Sequence, residues 1–101
     1  MRAALVLLLL AHAASANDLC APAAKHHGTA IDLDLVRADL HDVLRLLADT
    51  AKLNLVVGAD VSGAVTLKLK QVPWDAAVCT IARLNHLRVT LDGGILLVKK
   101  T

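Results

Sequence analysis

The pattern of this chain is written twice, and that restricts its fold more than any single motif. "AIDLDLV" alternates Ile31, Leu33 and Leu35 with Asp32 and Asp34, the period of a half-buried strand. "ADLHDVLRLLADTAKL" follows, with Leu40, Val43, Leu44, Leu47 and Ala51 on one helical face. "NLVVG" reads as a short strand and "ADVSG" as a turn. The pattern then restarts at an offset of 34 residues. "AVTLKLK" alternates Val65, Leu67 and Leu69 with Thr66, Lys68 and Lys70. "PWDAAVCTIARL" is helical, with Trp74, Ala77, Val78, Ile81 and Leu84 on one face, and "LRVTL" is a strand. Leu44, Leu47 and Ala48 align with Val78, Ile81 and Ala82; Leu53 and Leu55 align with Leu87 and Val89. "DGG" then marks a tight turn into a returning strand, "ILLVKK".

Two copies are too few for a solenoid, which takes about three or more. The predicted fold is α+β: two β-α-β units and a last strand, β-α-β-β-α-β-β, with two helices packed between two small mixed sheets. It occupies residues 29–101. Asp39 and Asp42 suit the start of the first helix. Pro73 fits the first position of the second, where its missing N–H costs nothing, and its ring holds Val72 extended. Asp75 lies in the first turn. Trp74 is the only aromatic residue of the chain, so it is expected to be the large filler of an aliphatic core.

The residues before this domain read differently. Arg2, the apolar run 3–11 and the small residues Ala14-Ser15-Ala16 form a signal peptide, residues 1–16. The run is shorter than the roughly 20 residues that span a bilayer, so no transmembrane segment is expected after cleavage. Residues 17–28 read as a flexible tail. Without Arg2 the charge is near +1, which carries no footprint for nucleic acid. An exported chain with two cysteines suggests a Cys20–Cys79 disulfide. Lipidation of Cys20 is the competing reading, although Leu19 precedes it where lipoprotein signals take a small residue.

The stretch "ADLHDVLRLLADTAKLNLVVGADVSGAVTLKLKQVPWDAAV" resembles the short N-terminal, or N0, domain of secretins and TonB-dependent receptors. It is most similar to the type IV pilus secretin variety. "LLADTAKLNLVV", "VSGAVTLKL" and Val72-Pro73-Trp74-Asp75-Ala76-Ala77 carry the resemblance, which covers residues 31–98. It implies the same two-helix, two-sheet fold and a non-catalytic role in the periplasm. It also implies protein partners: a secretin, or a pilus or secretion-system component at the outer membrane. Self-association is left open. Receptor domains of this type instead relay a signal to a periplasmic regulator, which is the alternative reading. The sequence stops at Thr101, so the expectation is the interaction module on its own, without pore or receptor barrel.

Other chemistry finds little support in the sequence. No G-x-S-x-G, H-E-x-x-H or phosphate loop is present, so no catalytic residue is assigned. Ser62 and Gly63 read as turn chemistry. His26 and His27 lie near Cys20, with His41 and His86 elsewhere, at no zinc-ligand spacing; no metal or cofactor is expected. A weak metal-binding tail is the third reading. Asp32 and Asp34 share a polar face that can oppose Lys68 and Lys70 if the two strands are neighbours. The interaction candidates are Trp74, Pro73, Asp75 and Gly63.

Overall fold

The computed structural model describes residues 18–22 and 24–101; the expected signal peptide, residues 1–16, lies outside them. Seven elements follow in order: β1 (Ala30–Asp39), α1 (Leu40–Ala51), β2 (Asn54–Val57), β3 (Ala64–Pro73), α2 (Trp74–Asn85), β4 (Leu87–Asp92) and β5 (Ile95–Lys100). β1 and β3 form an antiparallel ribbon. β2, β5 and β4 form a mixed sheet in that order, with β2 parallel to β5 and β4 antiparallel to it. The helices lie between the two sheets, and one core joins all layers through Leu33 and Val65, Leu44 and Leu47, Val78 and Ile81, Val89, Leu96 and Val98.

The sequence repeat is a structural repeat down to its irregularities. β3 and α2 begin and end 34 positions after β1 and α1. The left-handed residues obey the same offset: Arg37 matches Gln71, and Lys52 matches His86. Lys52 and His86 are helix C-caps, turning the chain so that the cap N–H reaches back to Ala48 and Ala82 carbonyls respectively. Arg37 and Gln71 mark two β-bulges, where the β1–β3 register slips. Each bulge is clamped from the opposite strand. The Arg37 N–H donates to Thr66 Oγ1 (2.9 Å) and the Gln71 N–H to Asp32 Oδ1 (2.8 Å). The bulges let Ala38 and Val72 turn inward beyond Leu35 and Leu69, so both strands outlast the simple alternation seen in sequence.

The helix starts are also paired. The Leu40 N–H donates to the Gly63 carbonyl (2.9 Å), and the Trp74 N–H donates to the Thr29 carbonyl (3.0 Å). Gly63, at φ 140°, sits where other residues are strained. Asp39 caps α1, accepting from the Asp42 N–H (3.1 Å). Pro73 stands at the N-cap of α2, one place earlier than the sequence reading puts it, because its pairing with Ala30 keeps it extended. It offers no side-chain cap.

Two packing expectations change. Leu84 is 67% exposed, not part of the buried face. Asp75, Cys79 and Ala82 are buried instead, since the segment before β1 crosses that side of α2 and rotates its covered face. Trp74 is half-buried rather than central, and packs at the core margin.

Candidate interaction surfaces

The Trp74-Asp75 end of α2 is assembled from two distant pieces of chain. Cys20 is bonded to Cys79, 59 residues away. Before the bridge, Asp18 pairs with Thr90, and the Leu19 N–H donates to the Val89 carbonyl (3.1 Å), so the segment lies on the outer edge of β4. After it, Gly28 sits against the indole. A Cβ there would be 2.3 Å from Trp74 Nε1 and 2.9 Å from Asp75 Oδ1, so only glycine allows the approach. Asp75, only 7% exposed, accepts from the Gly28 N–H (3.3 Å) and the Ala76 N–H (3.1 Å). Its Oδ2 lies 3.5 Å from His26 Nδ1, an ion-pair distance rather than a hydrogen bond. Asp75 is thus a tether for residues 26–28 as well as a first-turn acid. Sequence reasoning missed Gly28 and the facing of His26 to Asp75, because nothing local marks a glycine that must fit under a tryptophan 46 positions on.

The remaining candidates scatter. Ser62 is exposed in the turn before β3. His41 Nε2 lies at the Val61 carbonyl, His86 is the α2 C-cap, His27 is exposed and His26 faces Asp75. Among the described residues no three His, Cys or Asp side chains converge as a metal site, and no helix is long and apolar enough to cross a membrane. The carboxylate pair is divided by the ribbon. Asp34 stands directly opposite Lys68, whereas Asp32 is the clamp of the Gln71 bulge.

The two sheets turn different faces to solvent. The ribbon presents Asp32, Asp34, Lys68 and Lys70, an ordinary charged face. The mixed sheet buries Leu55, Leu91, Leu96 and Val98 against the helices, at least in part. Its outer face carries Val56, Ile95, Leu97 and Thr90 around a shallow groove of about 380 Å³. A second groove of about 280 Å³ runs beside the disulfide, between Arg83, Arg88 and Asp18.

No protein-family model matches the chain. Among curated proteins it is 38% identical over 71 residues to the fimbrial assembly protein PilQ of Pseudomonas aeruginosa, covering 70% of this chain and 10% of that protein. It is 48% identical over 56 residues to the DNA utilization protein HofQ of Escherichia coli K12, covering 55% of this chain and 14% of the other. The type IV pilus biogenesis and competence protein PilQ of Neisseria gonorrhoeae matches at 35% over 68 residues, 67% of this chain and 9% of that protein. The chain therefore spans about a tenth of the length of these relatives. Among solved structures, the N0 domain of the type II secretin from enterotoxigenic E. coli aligns with TM-score 0.66 at 13% identity, over 72% of this chain and 96% of that one, a likeness of fold. The type IV competence pilus secretin PilQ of V. cholerae aligns with TM-score 0.60 at 32% identity, over 67% of this chain and 16% of that one.

Proposed function

Because residues 30–100 form a secretin N0-type domain of the type IV pilus variety, we propose that the chain is a non-catalytic interaction module serving a type IV pilus or type II secretion assembly. It works in the periplasm, at the outer membrane, by binding a protein component of that machinery. The observation that carries this reading is the joint likeness to the V. cholerae pilus secretin, in sequence at 32% and in fold at TM-score 0.60. The physical design supports it. The core is aliphatic and continuous, and the surface variety lies in sheet faces and strand edges. Such edges and faces recognise other polypeptides through main-chain bonds and apolar contact.

Affinity purification of the chain from its native envelope, followed by mass spectrometry, tests the reading. Stoichiometric recovery of a pilus or type II secretion component is the expected result. Recovery of a membrane-bound sigma-factor regulator in its place would convert the assignment to a signalling module. A stoichiometric submicromolar copper or zinc site, lost with His26→Ala and His27→Ala, would make it a metal-binding protein.

A further inference from the structure

We propose that the outer face of the mixed sheet is the docking surface for an amphipathic helix of a partner protein, and that the charges on this face fix the helix's direction. The inference rests on the interaction-module reading and adds the surface and the shape of the partner element.

The argument begins with the β2–β5 pair. Parallel strands are normally covered on both faces, because their sequences are apolar on both. Here, among the described residues, α1 and α2 cover one face only. The other face shows Val56, 49% exposed, and Ile95, 40% exposed, with Leu97 half-buried between strands. The register places Val56 beside Leu97 and Leu97 beside Thr90, so the apolar row runs across β2 and β5 and ends at a threonine on β4. The groove follows it, lined by Val56, Thr90, Asp92, Ile95 and Leu97. An element that fills such a groove must lie over the sheet; a strand added at one edge would leave it open. The ribbon, built from the matching halves of the repeat, offers no comparable groove: Asp32, Asp34, Lys68 and Lys70 occupy its outward positions, and its one large exposed aliphatic, Val36, stands apart from them at the bulge.

Charge then selects the direction. Asp92 closes the face at the hairpin end, beside Ile95. Arg88 and Lys99, opposite one another in register, close the other end. The two ends are about 14 Å apart, four strand residues, which matches about nine residues of α-helix. A helix carries partial positive charge at its N-terminus and partial negative charge at its C-terminus. Its N-terminus therefore belongs over Asp92 and its C-terminus, with any acidic side chains of the last turns, over Arg88 and Lys99. That helix runs in the direction of β5 and would add a further layer to the sandwich.

A photo-crosslinking residue installed in place of Leu97, used in the native envelope with mass spectrometry of the joined peptides, tests this. The same residue in place of Asp34, on the ribbon face, is the control. The expected product is a peptide of another protein with an apolar stripe at helical spacing. Its yield should fall about threefold to thirtyfold in Arg88→Glu/Lys99→Glu, with Asp34 cross-links unchanged. Joining to a second copy of this chain, to its own residues 1–17, or to a peptide of alternating strand pattern overturns the proposal. So does a yield no higher than the control, or one indifferent to the charge reversal. Val56→Asp separates this inference from the functional reading. If that variant still recovers a pilus or secretion component, the function stands and the docking face is wrong.

Discussion

Opening the Cys20–Cys79 bridge should cost this domain a large part of its stability. The cystine joins residues 59 apart, so it restrains most of the ordered chain once unfolded. In the chain-entropy account a loop of that length is worth about 4 kcal/mol at 25 °C. For a domain of this size that corresponds to roughly 15–30 °C in Tm. The strap's own contacts are one β-bridge at Asp18, one backbone bond from Leu19, the Gly28–Asp75 bond, the His26–Asp75 ion pair and the packing of Leu19 on the core and of Gly28 on Trp74. The measurement is urea unfolding of the oxidised protein, of the same protein under reductant, and of Cys20→Ala/Cys79→Ala. Both open forms should lose about 4 kcal/mol. Their m-values should rise, since the denatured chain expands when the cross-link is gone. A loss below about 1 kcal/mol with m unchanged would refute the reasoning, and would mean that the strap is held by its contacts instead. Finding Cys20 acylated by mass spectrometry would remove the bridge altogether.

Gly28→Ala should destabilise by about 1–3 kcal/mol, because its new methyl overlaps the Trp74 indole and the strap must lift; denaturant midpoints in oxidised protein measure this. Leu47→Ala, at a fully buried α1 position, should cost about 2–5 kcal/mol, while Leu84→Lys on the exposed side of α2 should stay within about 0.5 kcal/mol. Asp32→Ala removes the clamp on the Gln71 bulge and should cost about 1 kcal/mol in thermal unfolding. The same variant should leave the envelope pull-down intact, because Asp32 shapes the ribbon rather than a reaction.

The comparison of sequence with structure divides along the repeat. Alternation and helical spacing were enough to place both helices, and the 34-residue offset foretold two equivalent β-α-β units. Those signals are local: each depends on which face of one element is apolar. The bulges at Arg37 and Gln71 were invisible, since a left-handed arginine or glutamine leaves no compositional mark. Leu84 was misplaced for a related reason. Its helical angle suits the apolar stripe, but the disulfide-bound strap shifts the covered side toward Asp75 and Cys79.

The proline and tryptophan before α2 show the same division. Their helix-starting chemistry was readable, and the matching Asp39-Leu40 start shows that neither residue is required for it. Their tertiary role was not readable: Trp74 is the surface on which Gly28 rests, and Asp75 holds the same segment by its side chain. By itself the sequence determined the elements, their order and most of the core, because periodic burial is encoded within each segment. Only the tertiary structure decided which strands pair, which helix face the strap covers, and that the mixed sheet leaves an apolar face bounded by opposite charges. Those properties arise between segments far apart in the chain, and no local pattern of residues records them.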